Sequence, residues 1–106
     1  MAWLILILAS AFEVVMAQGL KASHGFTALG GSLVALAGAA ASMWLLAVAL
    51  RTLPVGTGYA VWTGLGAVGT VLFGIVVLGE SRDPLRLLAI GTILAGVIGL
   101  KVVTPE

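Results

Sequence analysis

Glu13 is set apart from every other charged residue in this sequence. It lies inside an otherwise uncharged run from Met1 to Leu20. An acid at the middle of a membrane helix costs about 2.5–3.5 kcal/mol on insertion scales, and such residues mark ion and proton pathways. A carboxyl at that depth has two accessible states: protonated and neutral, or ionised and holding a cation. Glu13 is therefore a candidate proton and cation site; the plain alternative is a neutral acid satisfied by its surroundings. Three and four residues away along a helix stand Ala9, Ser10, Met16 and Ala17. Ala9, Ser10 and Ala17 are small enough to leave room beside the carboxyl, and Ser10 can donate a hydrogen bond. No His, Asp or second Glu lies in any apolar run, so the sequence predicts no metal site and no cofactor. Two carboxylates share a site only if two copies of the chain bring two Glu13 residues together.

A second group of polar and aromatic residues lies around Tyr59. Trp62 and Thr63 follow it by three and four positions, a spacing that puts all three on one helical face. Rings and hydroxyls there are candidates to line a cation cavity with Glu13; a belt of interfacial aromatics is the alternative, and it suits Tyr59 better than the deeper Trp62. Ser42, with Gly38 and Ala39 on its face, is the polar residue at mid-depth in the second apolar run. It either borders the same cavity or bonds a carbonyl of its own helix. Gly64-Leu65-Gly66-Ala67-Val68-Gly69 matches G-x-G-x-x-G, but a dinucleotide site needs a preceding strand, and this motif lies within an apolar helix. Gly64, Gly66 and Gly69 are candidates for a conformational hinge or, equally, for close helix packing. Gly91, Ala95 and Gly99 form a small-xxx-small stripe, a candidate dimer interface with packing inside one chain as its alternative.

These residues must be held by membrane helices. The chain has 106 residues, 61% of them hydrophobic and 8% charged, against roughly 25% charged in soluble domains. Mean hydropathy is +1.25. One soluble core of this size cannot hide so much apolar surface, so lipid must cover it. The absence of cysteine excludes disulfide and thiolate-metal frameworks, and a net charge of +1 gives no basis for nucleic-acid binding. Charged and turn-forming residues divide the chain into four runs, which predict helices over about 2–20, 28–50, 55–79 and 85–103. The fourth reaches spanning length with Arg86 and Lys101 at its ends, their head groups drawn to the interfaces. Continuous apolar runs, not alternating ones, exclude a transmembrane barrel. The first run lacks the basic start of a signal peptide and reads as a retained helix. The fold class is all-α membrane protein with four transmembrane helices in a single domain.

Arg51 and Lys101 fall on one membrane side, and Lys21, Arg82 and Arg86 on the other. So even a division gives almost no orientation bias. The chain either inserts one way on a weak signal or inserts both ways, and opposed copies then pair as an antiparallel dimer.

Taken together, these segments resemble the small multidrug resistance family of bacterial transporters over nearly the whole chain. The resemblance rests on Ala11-Phe12-Glu13-Val14-Val15, Lys21-Ala22-Ser23-His24-Gly25-Phe26, Leu53 to Gly66 with its Tyr59-x-x-Trp62, Gly79-Glu80-Ser81 and Ile98-Gly99-Leu100-Lys101. Met1-Ala2-Trp3, Glu13-Val14-Val15, Ser42 and Trp62-Thr63-Gly64 are most similar to the guanidinium exporter subtype. The resemblance implies an antiparallel homodimer in the bacterial inner membrane, with dual topology. It implies a site shared by two Glu13 residues, with Ser42, Tyr59 and Trp62 around it and Ser10, Met16 and Thr63 as further lining. Protons and a small guanidinium cation would compete for the carboxylates while the dimer alternates access. The planar guanidinium suits a bidentate carboxylate. Met16 departs from the subtype, which has tryptophan there, and Gln18 and Gly58 are less usual. A flexible Met opens the alternatives of a polyspecific quaternary-ammonium exporter or one subunit of a heterodimer. A passive scaffold would gain nothing from Glu13, an ion channel would need a polar stripe that is missing, and no nucleophile–base pair suggests an enzyme.

Overall fold

The computed structural model describes residues 1–104. They form four helices, α1 (Ala2–Ala22), α2 (Leu29–Ala49), α3 (Val55–Val77) and α4 (Pro84–Val103), and no strand occurs among the described residues. Each is long and apolar enough to cross a membrane: about twenty residues at 1.5 Å per residue cover roughly 30 Å of hydrocarbon. Only helices pair their backbone groups within a single segment, which is what such apolar runs require in lipid.

Short polar turns set the helix ends. Between α1 and α2 the turn is built around Ser23, which is 1% exposed. Its hydroxyl donates to the Leu20 carbonyl at 2.7 Å and accepts from the Phe26 N–H at 3.1 Å. Its carbonyl accepts the N–H groups of Thr27 and Ala28, both at 2.8 Å. These bonds hold His24, Gly25 and Phe26 at φ of 48°, 72° and 68°, a left-handed run that non-glycine residues adopt at a cost. At the other hairpin, Gly79 takes φ 67° after α3, and the Glu80 N–H returns to the Gly74 carbonyl at 3.0 Å. Asp83 caps α4 by accepting from the Leu85 N–H at 2.8 Å, with Pro84 in the first helical turn where its missing N–H is harmless.

In lipid, helices gain little from hiding apolar surface from one another, so close backbone approach and interhelical hydrogen bonds do more of the holding. The α1–α2 pair shows this. A Cβ on Gly19 would strike the backbone of Ala35, one on Gly31 the backbone of Ala22 and Ser23, and one on Gly38 the backbone of Met16. α3 packs across α1, where Trp3, Leu6, Leu53, Val61 and Trp62 form the main buried cluster with Ala49 of α2. The α4 backbone approaches α3 alone, and Ile90 and Val97 are its buried residues. The helices therefore form an open layer, with a Cα frame only 17 Å through its thinnest direction.

Candidate cation site

Glu13 projects from the middle of α1 toward α3. One carboxylate oxygen, Oε1, is buried without a hydrogen-bond partner among the described residues. It lies against Gly66, where an added Cβ would collide with the carboxyl group. The lack of a side chain at Gly66 thus creates the space that Glu13 occupies. The other two glycines of the motif are also points of close approach: Gly64 faces Val97 and Ile93 of α4, and Gly69 faces Val14 of α1. α3 runs unbroken through all three.

Beside the carboxyl, a hydrogen-bonded chain joins three helices. The Trp62 indole N–H donates to Ser42 Oγ at 2.8 Å, and the Ser42 hydroxyl donates to the Ala9 carbonyl at 2.7 Å. Ser42 thus bonds a carbonyl of α1 and not one of its own helix. It is fully buried, and its single proton is committed to Ala9, so here it fixes the Trp62 ring without offering a bond to Glu13. Ser10 donates to the Leu6 carbonyl at 3.0 Å, with the Trp62 carbonyl a second acceptor at 3.4 Å. In lipid such bonds are worth about 0.6 kcal/mol on average, but their geometry determines which way the indole faces. Tyr59 continues the aromatic wall, its ring centroid 5.4 Å from that of Trp62 at an interplanar angle of 56°. It is exposed, as expected of a residue on the open side of the layer.

Not every residue read from the sequence joins this group. Met16 is half-buried, with its backbone against Gly38 of α2, and Thr63 is exposed. Gly91, Ala95 and Gly99 lie on exposed α4 surface, with nothing within 4 Å of a Cβ placed on either glycine. Three features carried no assignment in the sequence. Gly19 and Gly31 lock α1 to α2, and Ser23 organises the turn between them. Small residues at helical spacing, Gly31, Ala35 and Gly38, four and then three positions apart, were the available signal. Trp3 is the third: it is buried at the start of α1, with Lys101 Nζ 4.7 Å above its ring centroid.

Four spanning helices, with a half-buried acid of α1 set against α3 and no extramembrane domain among the described residues, define an integral membrane protein whose chemistry lies within the lipid layer. A sequence model of the family described as Small Multidrug Resistance protein matches residues 1–93. The chain belongs to the small multidrug resistance family, and it is an integral inner-membrane protein. Among its relatives is the guanidinium exporter of Yersinia pseudotuberculosis, 58% identical over 101 residues, covering 95% of this chain and 97% of that protein. The guanidinium exporter of Citrobacter freundii is 55% identical over 104 residues, or 98% and 99% of the two chains. That of Salmonella typhimurium strain LT2 is 54% identical over 101 residues, or 95% and 96%.

Proposed function

We propose that this chain is a proton-coupled antiporter that exports small guanidinium-type cations, with Glu13 as the group that holds proton and substrate in turn. One observation carries the reading: a carboxyl at mid-membrane has a buried oxygen with no partner among the described residues and faces the bare backbone of Gly66. An acid is costly at that depth unless a proton or a cation satisfies it. The relatives named guanidinium exporter indicate which cation. A guanidinium presents paired N–H donors that match the two carboxylate oxygens, and the Tyr59 and Trp62 rings offer π faces to its charge. One carboxyl cannot hold both a proton and the cation, so loading either expels the other. That competition couples the two fluxes.

In this reading two copies assemble as an antiparallel homodimer with dual topology, and their Glu13 residues form one paired site. The near-even division of Lys and Arg between the two faces supports opposed insertion. The exposed Gly91, Ala95 and Gly99 stripe supplies a surface on which two α4 helices can approach closely. Gly64, Gly66 and Gly69 are the positions at which α3 would bend as access alternates.

The test is flux from proteoliposomes of the purified protein, on adding guanidinium, then a larger substituted guanidinium, then tetramethylammonium. Guanidinium is expected to drive proton movement, and Glu13→Gln is expected to abolish it, since the amide neither ionises nor carries a titrating proton. Proton-independent guanidinium flux would overturn the coupling. A response to tetramethylammonium in preference to guanidinium would move the substrate class to quaternary ammonium ions, with the flexible Met16 as the residue to examine. Silence with every cation would favour a heterodimer missing its partner.

A further inference from the structure

Between α1, α3 and α4 lies an open groove of about 700 Å³ on the side of α1 that carries Ala11 and Val14. Apart from Ser10, whose hydroxyl is bonded to the Leu6 carbonyl, its walls are apolar: Ile7, Ala11 and Val14 from α1, Leu65 from α3, and Leu94 and Ile98 from α4. One end is different. There Trp3 and Lys101 line the groove together, and the ammonium rests over the indole ring. Lys101 forms no ion pair among the described residues.

We propose that this groove binds one anionic phospholipid, with an acyl chain along the apolar walls and the phosphate on Lys101. Length is the first argument. From Trp3 to Val14 the groove follows α1 for about 16 Å at 1.5 Å per residue. That is half of the roughly 30 Å hydrocarbon layer, the depth reached by the acyl chains of one leaflet. Charge is the second. The cation sits at the helix-end mouth, where a headgroup lies, and the walls deeper in are hydrocarbon-like. The third argument is the placement of the small-residue stripe. Around α4, at 100° per residue, Lys101 lies about 120° from Ala95 at the centre of the small-residue stripe, so a copy docked there leaves the ammonium uncovered, while Ile98 lies at the shared edge of the two faces.

The experiment is native mass spectrometry of the purified full chain, equilibrated with equal amounts of phosphatidylglycerol and phosphatidylcholine of identical acyl chains. The parent protein is expected to retain phosphatidylglycerol preferentially. One basic residue near an anionic headgroup is worth about 1 kcal/mol, so Lys101→Gln should lower that retention about fivefold. Ala11→Phe, which fills the groove without touching charge, should also reduce it. If Ala11→Phe elutes as aggregate, Ile98→Phe fills the groove from the opposite wall. Equal retention of the two lipids by the parent would overturn the proposal, as would retention unmoved by Lys101→Gln or by groove filling. So would efficient disulfide joining of two copies through Ala11→Cys in this cysteine-free chain, because a second protein would then occupy the groove.

Discussion

Gly19, Gly31 and Gly38 each meet the backbone of the facing helix inside the α1–α2 hairpin, whereas Gly91, Gly96 and Gly99 on α4 meet nothing within 4 Å. Both sets lie on membrane helices, and both lower the barrier to close backbone approach. In the first hairpin that capacity is used within the chain, and it locks α1 against α2 so that Glu13, Ala9 and Ser42 keep a fixed relation. In α4 it is left open, together with most of the helix's surface. The pair separates two tasks that look alike in a sequence: building a rigid wall for a site, and presenting a surface to something outside the chain.

Substituting one glycine from each set gives the largest contrast. Gly31→Val should lower stability by about 3 kcal/mol, because the atoms in its way are backbone and cannot give. Gly99→Val should change the stability of the single chain by no more than about 0.5 kcal/mol, since it enters open space. Denaturation of the two purified variants in mixed micelles would measure both. Equal losses would mean that α4 is as tightly enclosed as α2, and the comparison would fail.

Within the rigid half, the hydrogen-bonded chain is the next point to probe. Ser42→Ala leaves the Trp62 N–H buried without its acceptor, and an orphaned donor costs about 1–3 kcal/mol. Trp62→Phe removes the donor as well and should cost less through that bond. The same unfolding measurement ranks the two, and guanidinium flux reads whether the freed indole still forms the wall beside Glu13. A Ser42→Ala variant as stable as the parent would show that the serine does not hold the ring.

What could be read in advance follows the physics of each feature. The four spans were legible because charges and prolines interrupt apolar runs, and helices are the structure such runs can adopt in lipid. The observed ends differ by two residues or fewer from those read in the sequence. Glu13 was legible because its cost in lipid is independent of its neighbours. Which glycines touch backbone was not, because Gly31 and Gly99 sit in equally apolar surroundings and differ only in what lies opposite. Nor could the sequence say where the Ser42 proton goes. Ala9 lies 33 positions away, and a serine in an isolated helix has a carbonyl of its own within reach. Lys101 was readable as a helix-end cation, but its place over Trp3 depends on its long side chain reaching across the groove from α4 to α1.

The first and last of the three interhelical turns extend the contrast to its smallest effect. Ser23 is buried and bonded on both its hydroxyl and its carbonyl, holding three left-handed residues in place. In the α3–α4 turn, the Arg86 guanidinium donates to Glu80 at 2.7 Å, but the two side chains are 32% and 44% exposed. Arg86 also donates to the Ser81 carbonyl at 2.8 Å, so it keeps an anchor if Glu80 is neutralised. An exposed ion pair contributes about 0–1 kcal/mol and is screened by salt. Glu80→Gln should therefore cost about 0.5 kcal/mol or less, and raising the salt concentration should shrink the difference from the parent. Ser23→Ala should cost more, about 1 kcal/mol, and salt should leave that loss unchanged because no charge is involved. Unfolding midpoints at low and high salt separate the two. A large, salt-dependent loss for Glu80→Gln would mean that the α3–α4 turn is clamped as firmly as the first, and α4 would then be held by its connection as well as by its contact with α3.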